Sequence, residues 1–220
     1  MLARAIFASL VLFGFACAAQ AQPSEAERAA RWADLRHAIF GTRTVEDAGD
    51  RVAIDAPMRA EDAAVVPVAI HVAPAFAGQV RGLYLIIDDN PSPLAAHFIF
   101  GPPADRQKVS TRVRIDDYTY LHAVAETADG RLYAAARFIK AAGGCSAPAT
   151  ADQALAMKRL GQMKLVLGPR AAADAPLAAK LLISHPNNSG LQMDPLTRNY
   201  VPADFIQTLN VTYNGEPVLR

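Results

Sequence analysis

Alternation of apolar and polar residues predicts that this chain is built mainly from β-strands. Val109 and Val113 point to one side of a predicted strand, while Arg112 and Arg114 point to the other. Residues 80–87 instead form a nearly continuous apolar run, which is typical of a strand covered on both faces. These patterns favour sheets that enclose a core.

The predicted strands are short and regularly spaced, with no helix-like segments between them in the first part of the chain. They cover residues 65–72, 80–87, 94–100, 109–115, 120–126, 132–139, 163–167, 181–184 and 205–213. Pro67 places the first of them at a sheet edge or marks its start. Asp129-Gly130 and Asn214-Gly215 predict hairpin turns. This organisation predicts an antiparallel β-sandwich of immunoglobulin-like type.

One amphipathic helix is predicted before the strands, over residues 24–40. Ser24 can cap its start, and Glu27 stands at the capping-box spacing. Apolar residues then recur at helical spacing, and Gly41 can end the helix. We interpret Trp32 on this apolar face as a core anchor rather than a binding residue.

The first 21 residues have the features of a secretory signal peptide. Arg4 precedes an apolar stretch over residues 5–16, and Ala19-Gln20-Ala21 fits a small-residue cleavage site. The mature protein is therefore expected to begin near Gln22 in an oxidising compartment, the bacterial periplasm. Cys17 would be removed with the signal; the alternative is that it carries a lipid anchor.

Charge and composition exclude some classes of function. The chain has 22 basic and 21 acidic residues, a formal net charge of +1, and no basic patch suited to nucleic acid. Hydrophobic residues make up 52% of it, enough for a buried core. No segment after the signal is apolar enough to span a membrane, so we expect a soluble protein.

The composition divides the mature chain into three parts. Residues 22–142 form the predicted sandwich domain, residues 143–160 a small and flexible arm and linker, and residues 161–220 a second β domain. The last hairpin has barely begun its return strand at Arg220. We therefore expect an incomplete second domain, a truncated form of a longer protein, with self-association through exposed strands.

Cys145 is the principal candidate for chemistry. It follows Gly143 and Gly144, precedes Ser146, and is the only cysteine expected in the mature protein. A single cysteine in an exported protein indicates a reactive thiol or intermolecular pairing. Glycines without side-chain bulk would give its arm freedom and a slim profile. The alternative is a turn that ends a strand and buries a small residue.

Other constellations give weaker signals, and we expect neither a cofactor nor a metal. Met157, Met163 and Met193 could join Cys145 in a soft copper site, a weaker reading to which core packing is the alternative. We interpret the paired aspartates at 88–89 and 116–117 as solvated turn residues. No catalytic triad or phosphate-binding loop is present in the sequence. The histidines do not pair at metal-ligand spacing: His37, His71, His97, His122 and His185.

Several runs, in this order along the chain, carry a family resemblance. They are Tyr84 to Pro91, Thr111 to Arg114, Leu132 to Arg137, Gly143-Gly144-Cys145, Ile183 to Pro186, Gly190-Leu191, Val201 to Ile206 and Asn214 to Leu219. On these residues the chain resembles the SoxYZ sulfur-carrier proteins of bacterial sulfur oxidation. It is similar to a single-chain form, with a SoxY-like part followed by a SoxZ-like part, of the type associated with PQQ-dependent quinoprotein dehydrogenases.

The resemblance implies a non-enzymatic carrier that holds sulfur intermediates, as in thiosulfate oxidation, on Cys145. Its partners would be periplasmic oxidoreductases, a cytochrome or a quinoprotein dehydrogenase. The family arm usually reads Gly-Gly-Cys-Gly-Gly at a chain end, whereas here Cys145 is followed by Ser146 and further protein. The alternative is an interaction module of a quinoprotein dehydrogenase system whose thiol is dispensable.

Overall fold

The structure, a computed structural model, describes residues 22–147, 157–169, 172, 175–194 and 196–220. The predicted signal peptide and part of the predicted linker, residues 148–156, lie outside these residues. Two helices are described, α1 (Glu25–Phe40) and the short α2 (Pro74–Ala77). The strands are β1 (Val45–Asp47), β2 (Val52–Asp55), β3 (Val66–Val72), β4 (Val80–Ile87), β5 (Leu94–Ile99), β6 (Lys108–Val113), β7 (Thr119–Thr127), β8 (Leu132–Ile139), β9 (Met163–Leu167), β10 (Ala179–Ile183), β11 (Val211–Tyr213) and β12 (Glu216–Leu219).

Two sheets pack face to face in the first part of the chain. One has the order β1-β8-β7-β4-β5, and the other has the order β2-β3-β6. Every neighbouring pair is antiparallel except β1 and β8. The core between them includes Val66 and Ile70 from the smaller sheet and Leu83, Leu85 and Leu121 from the larger. The prediction of a mainly β, immunoglobulin-like sandwich is confirmed.

Helix α1 covers the outer face of the larger sheet. Ser24 caps it: its hydroxyl accepts a bond from the Glu27 amide, and the Glu27 carboxylate accepts one from the Ser24 amide at 2.7 Å. Trp32 and Phe40 pack with Ile86 of β4 in a second apolar cluster. The predicted capping box and the interpretation of Trp32 as a packing residue are both confirmed.

Two strand predictions need correction or refinement. Strand β3 lies between β2 and β6, so it is not an edge strand. The other alternative holds: Pro67 is the second residue of β3, and β2 pairs only with residues 69–72, beyond this start. The long strand expected over residues 205–213 is wrong. Only Val211–Tyr213 is a strand, because the alternating residues before it have no ladder partner in the described part of the chain.

The second part of the chain forms two small sheets, the hairpins β10-β9 and β11-β12. The turn Asn214-Gly215 has positive φ angles of 50° and 82°, as a tight hairpin requires. Strand β12 also reaches the first domain. The Gly101 amide donates to the Val218 carbonyl at 2.9 Å, and the amide and carbonyl of Ile99 exchange hydrogen bonds with Arg220. The hairpin thus attaches to the free edge of β5.

The domain limits predicted from composition stay a prediction. Among the described residues, no helix combines the length and the apolar character needed to cross a bilayer.

Candidate functional site

Residues 143–147, the arm segment, form a tight turn bound to the end of the sandwich. The Ala147 amide donates to the Gly143 carbonyl at 3.0 Å, which closes the turn. The Gly143 amide donates to the Asp116 carbonyl at 2.7 Å, and the Gly144 amide donates to the Ile115 carbonyl at 2.9 Å. Two backbone hydrogen bonds therefore hold the arm against the sandwich, and a third fixes the turn within it.

Gly144 brings the backbone of the arm into direct contact with the backbone of the sandwich. A Cβ atom at this position would lie 2.0 Å from the Ala63 carbonyl oxygen and 2.5 Å from that of Ile115. Both are far inside contact distance, and neither atom belongs to a flexible side chain. Glycine is required here for close approach, a role distinct from the flexibility expected of it.

The Arg114 guanidinium binds two carbonyl groups of the arm segment. Its Nη1 donates to the Gly144 carbonyl at 2.7 Å and to the Ala147 carbonyl at 3.1 Å. Asn90 fixes the backbone on both sides of Ile115: its Nδ2 donates to the Arg114 carbonyl at 2.8 Å, and its Oδ1 accepts from the Asp116 amide at 2.9 Å. The turn after β4 thereby supports the surface on which the arm lies.

The second part of the chain contacts the arm through Ser189. The Ser189 hydroxyl lies within hydrogen-bonding distance of both the Cys145 carbonyl and Oε1 of Gln192, and its one hydrogen can serve either acceptor. The Ser189 amide donates to the same Oε1 at 2.9 Å. Gln192 is 3% exposed, and its Nε2 has no partner among the described residues. A buried amide donor therefore lies beside the docked arm.

The Cys145 thiol is buried in this position, with 5% of the residue exposed. Burial raises the pKa of the thiol to about 11, and the nearby Asp116 carboxylate acts in the same direction. The Arg114 guanidinium opposes them by favouring the thiolate. The docked cysteine is accordingly a neutral thiol near pH 7.

This arrangement agrees with the alternative given by the sequence, a turn that buries a small residue, rather than with an accessible thiol on a flexible arm. The physical reason is the combined set of contacts from Ile115, Arg114 and Ser189, which the local glycine pattern does not reveal. The carrier role of Cys145 and the role of Gly143 and Gly144 in arm flexibility stay predictions. Gly143 does have a φ of +75°, a conformation that glycine adopts without strain.

The other candidate residues do not gather around Cys145. His185 is a turn residue whose Nδ1 accepts from the Asn187 amide at 3.0 Å. The methionines considered for copper are all largely exposed: Met157 at 51%, Met163 at 65% and Met193 at 52%. Within the described ranges, no cluster of three or more His, Cys, Asp or Glu side chains is placed to hold a metal ion.

One aspartate expected to be solvated is instead buried. Asp88 is 3% exposed, and its Oδ1 lies 3.0 Å from Nδ1 of His122, which is also buried. The His122 ring stacks on Trp32 with 3.6 Å between ring centroids and 2° between planes. The expectation for Asp88 is wrong because its side chain meets His122 of the neighbouring strand β7, a contact that sequence spacing does not show.

Family comparison bears directly on this site. The family model "Sulfur oxidation protein SoxY" matches residues 36–145, which is half of the 220 residues and ends at Cys145. The chain belongs to the SoxY family. A second model, "Sulphur oxidation protein SoxZ", matches residues 166–220, so both domain types occur in one SoxY-family chain. The predicted combination of a SoxY part and a SoxZ part is confirmed.

Solved structures give more distant likenesses. The sulfur carrier protein SoxY from Chlorobium limicola f thiosulfatophilum is 28% identical, covers 53% of this chain and 96% of its own, and has a TM-score of 0.45. A superoxide reductase (neelaredoxin) from Ignicoccus hospitalis is 19% identical over 40% of this chain and 78% of its own, with a TM-score of 0.34. No curated protein matches the chain. The family assignment rests on the SoxY model.

Proposed function

We propose that this protein is a periplasmic carrier that holds sulfur-containing intermediates covalently on Cys145 and presents them to partner oxidoreductases. One observation carries the proposal: the SoxY match ends at Cys145, the only cysteine that follows the predicted signal peptide. Acting on its cargo only through partners, the carrier is not itself an enzyme. Attachment and removal of the cargo fall to enzymes that have their own cofactors.

Attachment of the cargo would use the Cys145 thiol and an external oxidant. With thiosulfate as the cargo, the Cys145 thiol and S₂O₃²⁻ form a sulfur–sulfur bond, which gives Cys–S–S–SO₃⁻, one proton and two electrons. A cytochrome or a quinoprotein dehydrogenase would accept the electrons. The reacting species is the thiolate, which is a strong nucleophile.

The docked position is a resting state in this proposal. With its pKa raised to about 11, the docked thiol is far less ionised at pH 7 than an unperturbed thiol, whose pKa is about 8.5. Attachment of a cargo to Cys145 therefore requires the arm segment to leave its docked position on the sandwich. Such a movement breaks the hydrogen bond from Arg114 to the Gly144 carbonyl and the one from Ser189 to the Cys145 carbonyl.

A second function is favoured by the burial of Cys145. In this alternative the protein is an interaction module of a periplasmic PQQ-dependent dehydrogenase, and the thiol only packs. A buried neutral thiol beside Asp116 is what a structural cysteine would look like. The two functions differ in whether Cys145 is needed in the cell.

Intact mass spectrometry of protein purified from the periplasm separates them. The carrier predicts a reductant-labile mass increase of a sulfur or sulfur-oxyanion group at Cys145, with loss of sulfur oxidation in Cys145→Ser cells. A chain without any adduct, together with normal sulfur oxidation in Cys145→Ser cells, would refute the carrier. The same preparation tests export, since the mature chain should begin near Gln22.

A further inference from the structure

We propose that the open edge of strand β6 is a docking site for a partner protein, which adds an extended segment of alternating acidic and apolar residues to the smaller sheet. The edge consists of the outward-directed backbone groups of Lys108, Ser110 and Arg112, and we call it the β6 edge. Addition of a strand to an exposed sheet edge is a general mode of protein recognition. The inference names where a partner oxidoreductase binds, and it rests on the proposed function for its biological meaning.

Strand β6 pairs with β3 on one side, and no described residue pairs with it on the other. The Val72 amide donates to the Gln107 carbonyl at 2.8 Å, so the hydrogen bonds to β3 come from the odd-numbered residues of this ladder. The amides and carbonyls of Lys108, Ser110 and Arg112 point the other way. Backbone groups left open in this manner can accept a further strand.

The position of Pro67 agrees with this pattern. Pro67 lies opposite Arg112 in the register of β3 and β6, and proline has no amide hydrogen to donate. In an antiparallel ladder every second pair exchanges no hydrogen bonds, and β3 accommodates its proline at such a pair. The backbone of Arg112 is therefore directed towards the β6 edge.

The outward side chains of the β6 edge carry positive charge. Lys108 and Arg112 are exposed and lie on the solvent face of the sheet, on either side of Ser110. Neither forms an ion pair with a carboxylate among the described residues. Residues directly opposite each other on neighbouring strands interact, and opposite charges stabilise such a pair. An added strand with acidic residues opposite Lys108 and Arg112 is therefore favoured.

The same charges disfavour a second copy of this chain as the occupant. Two β6 edges related by a twofold axis run antiparallel, so that Lys108 of each copy faces Arg112 of the other when the two Ser110 residues are opposite. Like charges in these positions destabilise the pairing. Basic residues on an edge strand thus protect against self-association, while an acidic partner avoids the repulsion.

The inward side chains of β6 leave an apolar margin that the partner can cover. Val109 and Val113 pack against the core between the two sheets yet are only partly buried, because no described strand lies beyond β6. Apolar residues of the added strand would lie beside them, since side chains alternate between the two faces of a strand. Removal of this margin from water favours binding. The partner segment should therefore place acidic residues outward and apolar residues inward.

The β6 edge lies next to the site of Cys145. Arg114 follows β6 directly, and its Nη1 donates to the Gly144 carbonyl at 2.7 Å. A partner bound to the β6 edge would be held beside the residue proposed to carry the cargo. Small interfaces of this kind are typical of transient redox encounters, which suit a carrier that visits more than one enzyme.

The test titrates ¹⁵N-labelled protein with the peptide Ac-Glu-Val-Thr-Val-Glu-NH₂ and follows its amides by NMR. Before the peptide is added, the amides of Lys108, Ser110 and Arg112 should exchange with water at least tenfold faster than those of Val109 and Thr111, which bond to β3. The peptide should shift the three edge amides saturably and slow their exchange. Edge amides that are already protected in the protein alone would overturn the proposal, because another segment or a second copy would then cover the edge.

Charge reversal tests the acidic character of the partner. Ac-Lys-Val-Thr-Val-Lys-NH₂ should bind about tenfold more weakly than the acidic peptide. The double variant Lys108→Glu/Arg112→Glu should reverse this preference. Lys164→Glu/Lys180→Glu makes the same change of charge at exposed positions of β9 and β10 and should keep the preference of the wild type. Equal affinity of the wild type for both peptides, or an unchanged preference in the first variant, would refute the proposal.

N-methylation separates strand addition from simple charge attraction. In antiparallel pairing, which the other pairs of this sheet adopt, the middle threonine of the peptide exchanges both of its hydrogen bonds with Ser110. Methylation of its nitrogen should abolish the shift at Ser110, whereas methylation of the first valine, whose amide points away, should preserve it. If both methylated peptides bind equally, strand addition is wrong.

The peptide assay does not involve the Cys145 thiol, so its result is independent of the carrier test. An adduct at Cys145 without binding of the acidic peptide would refute only the docking site. Binding of the peptide to a protein that never carries an adduct would refute only the carrier.

Discussion

The Ser189 hydroxyl and the Cys145 carbonyl are hydrogen-bond partners although 44 residues separate them in the chain. Ser189 lies within the segment matched by the SoxZ model, and Cys145 ends the segment matched by the SoxY model. One hydrogen bond therefore connects the SoxZ part directly to the residue proposed to carry cargo. Its strength should influence how often the thiol becomes accessible.

Replacement of Ser189 by alanine should make Cys145 more reactive. Loss of one hydrogen bond costs about 1 kcal/mol, which corresponds to about a fivefold larger undocked population. The rate of alkylation by iodoacetamide at pH 8 should rise by about the same factor. Ser110→Ala, which changes an exposed serine of strand β6, serves as the control. Equal alkylation rates in both variants and the wild type would show that Ser189 does not restrain the arm.

The stability of the protein should depend on pH through Cys145. The pKa of the docked thiol is raised from 9.0 to about 11, so folding favours the protonated form. This contribution is complete well below pH 9 and is lost as the pH rises towards 11. The slope approaches about 1.4 kcal/mol per pH unit in that window.

Urea unfolding at pH 7.5, 9 and 10 checks this dependence as a difference between the wild type and Cys145→Ser. Lysine and tyrosine titrations occur in both proteins and cancel in the difference. The stability of the wild type relative to the variant should fall with rising pH. A difference that stays constant over this range would mean that the thiol is not held in its neutral form.

Gly144→Ala should prevent docking of the arm. The new Cβ would lie 2.0 Å from the Ala63 carbonyl oxygen and 2.5 Å from that of Ile115. Both oxygens belong to the backbone and cannot rotate away as a flexible side chain can. We expect Cys145 to alkylate at nearly the rate of an unfolded thiol, while the core strands keep their slow hydrogen exchange. Gly78→Ala is the control because a Cβ there meets no atom within 4 Å. Slow alkylation in Gly144→Ala would contradict the docked geometry.

Sequence patterns predicted much of the sandwich but little of the site. The helix capped by Ser24 and the hairpin at Asp129-Gly130 follow from local chemistry, and both are present. The long strand expected from residue 205 is absent because an alternating segment forms a strand only where a neighbouring strand pairs with it. The sequence pattern does not show whether such a neighbour exists. The burial of Cys145 likewise depends on Arg114 and Ser189, neither of which is its neighbour in sequence.

Gly101→Ala should detach the C-terminal hairpin from the sandwich. A Cβ at this position would lie 1.7 Å from the Pro217 carbonyl oxygen, so β12 could not keep its place beside β5. Hydrogen exchange at the Ile99 and Arg220 amides, which are bonded to each other's carbonyls, should become fast. Unchanged protection of these amides would show that the hairpin is held by other contacts. Gly78→Ala again provides the control.

The Asp88–His122 pair should stabilise the helix-covered face of the larger sheet. His122→Phe keeps a ring against Trp32 but leaves the carboxylate of Asp88 buried without a partner. A buried charged group that loses its hydrogen-bond partner costs about 3 kcal/mol. The double variant Asp88→Asn/His122→Phe should regain part of this loss, because an amide is less costly to bury than an unpaired charge.

The chain's single tryptophan makes this measurement direct. Trp32 lies 3.6 Å from the His122 ring, so its fluorescence reports whether α1 is docked on the sheet. Urea unfolding followed at this signal should give the order wild type, double variant, His122→Phe in decreasing stability. His37→Gln, at an exposed position of the same helix, should match the wild type. If the double variant is no more stable than His122→Phe, the cost comes from lost packing rather than from the unpaired carboxylate.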